Sequence, residues 1–160
     1  MSEINIFSIT ESDDARLAQV ERLFVEFYQY MHEKGVKTPL PEGGEKLWLD
    51  AVRKTIKRFS RLVVATENDA VIGFAHGIIR LSPDYLGEHK VGFVTHFFVS
   101  AKARTKGTGR KMAAELDKWF SERNVHAIEL QVVENNEAAM NFWKALGYEK
   151  DLIQMRKENG

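Results

Sequence analysis

The chain has 160 residues, and its 23 lysines and arginines balance its 23 aspartates and glutamates, so the formal net charge is zero. Its length fits a single domain over residues 1–160, and the charge balance argues against nucleic acid or anionic membranes as partners, because both attract a basic excess. Cysteine is absent, which excludes a disulfide framework, a thiolate zinc site and a cysteine nucleophile.

The first third of the chain is predicted to form one strand and two amphipathic helices. Residues 4–9 alternate in character as a half-buried strand does, whereas apolar residues between 15 and 32 recur at spacings of three and four. The acids and hydroxyl side chains at 10–14 suit the positive end of a helix and are predicted to cap it. Pro39 and Pro41 break this helix before the second one begins.

The rest of the chain is predicted to supply most of a mixed sheet. Glu67-Asn68-Asp69 separates two β-branched runs and indicates a hairpin, and the most apolar strand, at 91–100, is predicted to be central. In chain order, the predicted elements are a strand at 4–9, helices at 15–32 and 45–59, strands at 61–66, 70–79 and 91–100, a helix at 108–123, a strand at 127–133, a helix at 136–146 and a closing strand at 148–155.

A basic, glycine-containing turn joins the strand at 91–100 to the helix that follows it. The first N–H groups of a helix lack intrahelical acceptors, and Gly107 and Gly109 have no side chain that would block an anion from reaching them. Arg104, Lys106 and Arg110 add local positive charge to a chain that is neutral as a whole. The turn therefore predicts a phosphate-binding site.

Two widespread phosphate motifs do not fit this turn. Met112 stands at the third glycine position of a dinucleotide fingerprint, and Arg110-Lys111 does not supply the Lys-Ser/Thr end of a Walker loop. On the short G-x-G pattern alone, a glycine-rich connector with a solvated basic face stays the favoured alternative.

The wider pattern resembles the acetyl-CoA-binding elements of the GNAT superfamily of N-acetyltransferases. Arg104-x-x-Gly107-x-Gly109, between an apolar strand and a core-facing helix, resembles the pyrophosphate loop of that family. Further on, the segment from Asn136 to Tyr148 resembles its second cofactor motif, in which an asparagine opens a helix and a Gly-aromatic pair follows it. The two motifs occur in the family's order and spacing, and the element order matches over residues 4–155.

The resemblance implies an α/β (α+β) fold whose mixed, mostly antiparallel central sheet contains a splayed parallel strand pair and is flanked by helices. It also implies transfer of an acetyl group from acetyl-CoA to an amine of a small molecule or peptide, by direct attack in a ternary complex and without a metal. Pantetheine would lie between the splayed strands. The implied cofactor-binding residues are Phe97, Phe98, Val99, Arg104, Thr105, Lys106, Gly107, Thr108, Gly109, Arg110, Asn136 and Trp143.

The catalytic base is predicted to be His96, which lies near the place where many relatives carry a glutamate and which titrates near physiological pH. Val94, His96 and Phe98 are expected to share one strand face, so a hydrogen-bonded core histidine is the alternative. Glu134 and His76 are weaker candidates for the base. A backbone N–H near Val99 is the expected oxyanion donor, because family members use this strand in that way.

The residue expected to protonate the leaving sulfur differs from the family pattern. Trp143 stands where many relatives carry the tyrosine that protonates the departing sulfur, and an indole has no proton to give near neutrality. Tyr148, Tyr85 or water could take that role. The favoured alternative is that no acid is needed, because a thiol of pKa about 8.5 leaves as thiolate at pH 7 for only about 2 kcal/mol. Trp143 is then a wall for the thioester end of the cofactor or a plain core residue.

The resemblance places the acceptor side on the first two helices and on the loop before the strand at 91–100. Acids there would suit a cationic amine, although surface acids are commonly just solvated. The residues that point to this side are Tyr28, Tyr30, His32, Glu33, Trp48, Asp84, Tyr85 and Glu88.

Two further hypotheses compete with a small-molecule acetyltransferase. One is a protein acetyltransferase, and the other is a non-enzymatic acyl-CoA sensor, which the missing tyrosine at Trp143 suggests. Residues 1–14 carry acids and no apolar core of a signal peptide, and no apolar run reaches the length of a membrane span. The expected location is therefore cytoplasmic, and a homodimer stays open.

Overall fold

A five-stranded sheet in the order β1-β2-β3-β4-β5 forms the frame of the protein, in a computed structural model that describes residues 2–104 and 106–160. The strands pair antiparallel from β1 to β4, and β5 joins β4 in parallel, which confirms the predicted fold class. The elements are β1 (Ile4–Ile9), α1 (Leu17–Glu33), α2 (Gly44–Thr55), β2 (Ser60–Glu67), β3 (Ala70–Leu81), β4 (Lys90–Val99), α3 (Thr108–Glu122), β5 (Ala127–Leu130) and α4 (Glu137–Ala145).

The β2–β3 connection is a hairpin, as predicted, and its turn has two residues rather than the expected three. Glu67 pairs with Ala70, and the two turn residues, Asn68 and Asp69, have φ values of 51° and 63°. Two successive positive φ values are what the tight turns of right-twisted strands require, and Asn and Asp tolerate that region better than most residues.

Helices cover both faces of the sheet, so two cores form. The run Leu62–Ala65 in β2 is fully buried, and its side chains alternate between the two sides, as expected for a strand covered on both faces. On one side α1 and α2 contribute Leu17, Phe24 and Leu49. On the other side α3 and α4 contribute the second core, which contains Met112, Leu116, Trp119, Phe120 and Trp143.

The start of α1 differs from the prediction. The N-cap position is Arg16, and no side chain caps the first turn. The Asp14 carboxylate instead accepts from the Arg16 backbone N–H at 2.9 Å and from its guanidinium at 2.7 Å, so one residue of the predicted segment binds the turn that leads into the helix, and none caps the first helical turn. Among the residues that the structure describes, no helix is both long enough and apolar enough to span a membrane.

The parallel strands β4 and β5 separate part-way along β4. Their pairing covers Val91 to Val94 of β4 and Ala127 to Leu130 of β5, while β4 continues to Val99. The chain after Leu130 leaves the sheet, which is why β5 is shorter than the predicted strand at 127–133. Residues 95–99 of β4 therefore have no strand paired with them on the β5 side, and the region between them and the segment after β5 is here called the seam.

A β-bulge lies in β4 at the point where the seam begins. Between β3 and β4, His76 pairs with His96 and Gly77 pairs with Val94, so Thr95 of β4 is one extra residue without a partner on β3. Val94 packs in the α3/α4 core, whereas the His96 ring contacts aromatic side chains of α1 and α2. The expectation that Val94, His96 and Phe98 share one face is wrong, because the extra residue reverses the alternation of the strand.

The predicted closing strand at 148–155 is absent. Residues 148–160 have no regular secondary structure, and Leu152, Ile153 and Met155 are 87%, 90% and 89% exposed. The segment contacts the residue that follows β5 through a side-chain hydrogen bond, in which Gln131 Nε2 donates to Gln154 Oε1 at 3.1 Å. A strand needs a partner with a backbone ladder, so apolar composition alone does not form one.

Candidate active site

The first turn of α3 presents backbone N–H groups just beyond the end of β4. Gly107 is the N-cap, with φ of 78° and without a side-chain cap. The first backbone bond of the helix runs from Lys111 N–H to Gly107 O at 3.2 Å, so the N–H groups of Thr108, Gly109 and Arg110 have no acceptor within the helix. A Cβ at Gly107 would meet nothing within 4 Å, so an anion has room there, and the positive end of the helix favours it.

The basic side chains of the turn differ in what they contact. Arg104 Nε donates to Val99 O at 2.9 Å, and its guanidinium lies over the Tyr30 ring, 4.4 Å from the centroid. Lys106 Nζ lies 3.4 Å from a Glu67 carboxylate oxygen. Arg110 is exposed at the helix start. Thr105, the remaining predicted residue of the loop, lies outside the described residues.

The start of α4 faces the same seam. Asn136 is buried, and its Oδ1 accepts from Ala139 N–H at 3.2 Å, which caps the helix. The Tyr30 hydroxyl lies 3.5 Å from the same oxygen. Because Oδ1 serves the cap, the Asn136 amide NH₂ is the group left to donate to a ligand in the seam.

Aromatic rings form the α3/α4 side of the site. The Trp143 ring lies 4.8 Å from Phe97 of β4 and 5.2 Å from Tyr148, and Trp143 is 7% exposed. Phe142 packs against the start of α3, where a Cβ on Gly109 would lie 3.2 Å from its ring. Trp143 is thus part of the core and also packs against the strand segment along which pantetheine is predicted to lie.

Tyr148 is held as a neutral phenol. Burial, followed by the negative charge of Asp117, raises the pKa of Tyr148 to about 12. A small cavity beside it is lined by Val94, Leu116 and Trp143. A phenol with a raised pKa is a weaker acid than a free one, so Tyr148 stays a prediction, and the alternative of departure without an acid gains support.

His96 lies on the α1/α2 side of β4, next to the bulge. Its ring centroid is 5.3 Å from Phe24, 5.7 Å from Phe27 and 5.4 Å from Trp48. Burial lowers the pKa of His96 to about 4, so the imidazole is neutral at physiological pH. It is therefore able to accept a proton there, although as a weak base.

His76 and Thr95 complete a polar group around His96 that sequence reasoning did not assemble. His76 Nδ1 lies 2.6 Å from Thr95 Oγ1, and His96 Nδ1 lies 2.8 Å from the same oxygen. Burial, and then the charge of His96, lowers the pKa of His76 to about 3. Glu134, the other weaker candidate, is exposed after β5. No set of three or more His, Cys, Asp or Glu side chains that could hold a metal occurs among the described residues.

The residues predicted for the acceptor side lie in three separate places in the structure. Tyr28 and His32 line a groove of about 510 Å³ between α1 and the α1–α2 loop, Trp48 stacks on Phe24 at 4.0 Å, and Tyr85 is 81% exposed in the loop before β4. Sequence reasoning missed part of the groove lining, which also includes Gln29, Leu40, Glu42 and Glu45.

Comparison with known families assigns the chain to a family. The profile of the acetyltransferase (GNAT) family matches residues 17–148 of the chain. The chain belongs to this family. It is an acetyl-CoA-dependent N-acetyltransferase, as its two motifs predicted, and the match contains both of them.

Relatives of this acetyltransferase use different acceptors. It is 27% identical over 120 residues to the D-amino-acid N-acetyltransferase HPA3 of Saccharomyces cerevisiae, covering 75% of this chain and 73% of the relative. The aminoglycoside N-acetyltransferase AAC(6')-Iy in complex with CoA has a similar fold, with a TM-score of 0.77, 18% identity and coverage of 99% and 97%. A ribosomal-protein-alanine N-acetyltransferase from Brucella melitensis also has a similar fold, with a TM-score of 0.73 and 13% identity over 98% of this chain and 99% of that one.

The fold of this acetyltransferase therefore does not select its acceptor. Aminoglycosides and a ribosomal protein appear in the names of two enzymes whose folds resemble it to a similar degree. The acceptor must be argued from the groove and from His96 instead.

Proposed function

We propose that this acetyltransferase passes the acetyl group of acetyl-CoA directly to the amine of a small molecule within a ternary complex. The observation that carries the proposal is the position of His96, two residues after β4 stops pairing with β5 at Val94. The seam and the imidazole therefore belong to one short strand segment. Two reactants held on either side of it would be close together, which is what direct transfer requires.

The acetyl donor would be held along the seam. The free N–H groups at the start of α3 and the exposed Arg110 suit its diphosphate. Main-chain groups of 97–99 would pair with the pantetheine arm as a missing strand would, and the Asn136 NH₂ would donate to it. When bound, acetyl-CoA supplies the thioester carbonyl that the amine attacks. A backbone N–H near Val99 would stabilise the oxygen of that carbonyl.

His96 would take one proton in the reaction. An amine that is cationic in solution first gives one proton to the solvent, because only a neutral nitrogen has a lone pair with which to attack. As this nitrogen forms its bond to the carbonyl carbon, it becomes acidic, and the neutral imidazole accepts its second proton while the carbon–sulfur bond breaks. The sulfur leaves as thiolate, which at pH 7 costs only about 2 kcal/mol relative to the thiol. The raised pKa of Tyr148 supports a departure that uses no side-chain acid.

The groove supports a small amine rather than a protein acceptor. Tyr28 and Leu40 offer apolar surface, and Glu42 and Glu45 offer negative charge at the same groove, a combination that suits a cationic amine with an apolar body. HPA3 is named for D-amino acids and AAC(6')-Iy for aminoglycosides. We therefore propose amino acids and amino sugars as the first acceptors to test.

A thiol-release assay tests the proposal directly. The protein is incubated with acetyl-CoA and a panel of D- and L-amino acids, amino sugars and lysine-containing peptides, and free CoA is measured over time. We expect turnover with at least one small amine and an acetylated product of matching mass. Turnover with the peptides alone would contradict the small-molecule acceptor, and an acetylated protein intermediate would contradict direct transfer.

Replacing His96 with glutamine is expected to lower kcat severalfold or more, because a positioned base contributes roughly 10²–10⁴-fold in enzymes. Replacing it with alanine should have a similar effect that added imidazole partly reverses, since the small base can enter the space left behind. His126→Gln, in an exposed position before β5, is the matched control. An unchanged kcat and pH profile in His96→Gln would reject the role of this residue.

A further inference from the structure

We infer that Thr95 is a positioning residue whose hydroxyl holds His96 in the Nδ1–H tautomer, so that its Nε2 lone pair is available to the acceptor amine. The inference rests on the proposed function, because it concerns the residue that takes the proton there. It assigns a role to a side chain that neither motif contains.

Three polar atoms surround Thr95 Oγ1. His76 Nδ1 lies at 2.6 Å, His96 Nδ1 at 2.8 Å and the His76 carbonyl oxygen at 3.2 Å. A hydroxyl has one proton to donate and two lone pairs that accept. A carbonyl oxygen can only accept, so the contact to the His76 carbonyl is favourable when the Thr95 proton points to it.

The proton count then selects one arrangement. If Thr95 donates to the His76 carbonyl, both imidazoles must donate to it, and all three contacts are hydrogen bonds. If Thr95 donates to either ring instead, its oxygen faces the carbonyl oxygen without a proton between them. Only the first arrangement satisfies every contact, and it makes both histidines Nδ1–H tautomers.

The buried Nε2 atom of His76 independently supports the same tautomer for that ring. His76 is 6% exposed, and its Nε2 is buried without a hydrogen-bond partner among the described residues. A buried N–H group without an acceptor is rarer in proteins than an acceptor that lacks a donor. His76 is therefore expected to carry its proton on Nδ1, which again requires Thr95 to accept from it.

The bulge explains why a threonine can serve both rings. Thr95 is the extra residue between the pairs His76–His96 and Gly77–Val94, so its side chain has no cross-strand neighbour of its own. A β-bulge re-aims a side chain in this way. His96 follows Thr95 directly in β4, and His76 lies opposite them on the neighbouring strand β3, so both rings reach the hydroxyl.

The tautomer of His96 determines whether its Nε2 presents a lone pair or an N–H group to the acceptor amine. With the proton on Nδ1, Nε2 presents a lone pair, as a base must. Without the Thr95 hydroxyl, the ring could carry its proton on Nε2 and would then present a donor to the amine, which is the wrong group. Thr95 acts through His96, so it contributes positioning and takes no part in bond making.

The first test needs no variant. A long-range proton–nitrogen NMR spectrum of the nitrogen-labelled protein at pH 7 distinguishes a protonated ring nitrogen from an unprotonated one. Signals of the five histidines are assigned with His96→Gln and His76→Asn. We expect Nδ1 protonated and Nε2 unprotonated in both residues, and a protonated Nε2 in His96 would overturn the inference.

The second test separates positioning from stability. Thr95→Val removes the hydroxyl at nearly constant volume and is expected to lower kcat about tenfold, part of the contribution of a positioned base, with little change in KM for acetyl-CoA. Thr95→Ser keeps the hydroxyl and is expected to restore kcat to within about twofold. Equal losses in both variants, or a valine variant of normal kcat, would contradict the role.

The two proposals fail in different ways. Absence of turnover with every amine tested would refute the proposed function while leaving the tautomers measurable by NMR. Turnover together with an Nε2-protonated His96 would refute the role of Thr95 and leave acetyl transfer intact.

Discussion

Replacing Gly107 with aspartate is expected to weaken binding of CoA at least tenfold. Gly107 precedes the free N–H groups of α3, and a Cβ there points into open space. A carboxylate in that space would face the proposed diphosphate. At about 4 Å, two like charges near a protein surface repel by roughly 4 kcal/mol at an effective dielectric constant near 20, and about 1.4 kcal/mol already corresponds to a tenfold change in affinity.

Gly43 provides a matched control for this variant. It is the N-cap of α2, with φ of 80° against 78° at Gly107, and a Cβ added to it also meets nothing within 4 Å. Gly43→Asp therefore introduces the same charge and the same backbone strain at another helix start. Calorimetric titration with CoA should find weaker binding in Gly107→Asp alone. Similar affinity in the two variants would contradict the diphosphate site.

Acidification from pH 7 to pH 5 is expected to remove about 4 kcal/mol of stability through His76 and His96. Burial lowers the folded-state pKa values to about 3 and about 4, whereas both residues titrate near 6.5 when unfolded. The unfolded state therefore binds more protons between pH 6.5 and these values, so stability falls as pH falls through this window. Each residue contributes about 2 kcal/mol over the two pH units.

Urea unfolding of the wild type and of His76→Asn at pH 7 and pH 5 tests this expectation. Asparagine cannot titrate, and it keeps a polar group near the position of Nδ1, so the variant should lose about half of the pH dependence. His126→Gln, which alters an exposed histidine, should keep all of it. If the pH dependence of His76→Asn equals that of the wild type, the buried histidine does not control acid stability.

The elements that the sequence predicted well are those whose signal is local. The helices carry apolar stripes of regular spacing, and the hairpin at Asn68-Asp69 carries its turn chemistry in two residues. The open helix start at Gly107 was predictable for the same reason, since free N–H groups and missing side chains are both properties of a short segment.

The features that escaped prediction depend on distant partners. The bulge at Thr95 becomes visible only when β3 and β4 are aligned, and without it His96 could not be assigned to its face. The end of β5 at Leu130 is set by divergence from β4, and the segment containing Leu152 lacks a partner strand. Sequence reasoning named His76 and His96 separately, but only the fold brings both to one hydroxyl.

The coincidence of the bulge and the seam has a mechanical consequence. Pairing with β5 ends at Val94, the extra residue is Thr95, and the proposed base is His96, so three consecutive residues hold the start of the seam, the bulge and the proposed proton acceptor. Their separation is governed by covalent geometry within one peptide segment rather than by docking of mobile parts. The backbone of this segment is thus held by the strand, whereas the orientation of the His96 ring depends on the α1 and α2 side chains that pack against it, Phe24, Phe27 and Trp48.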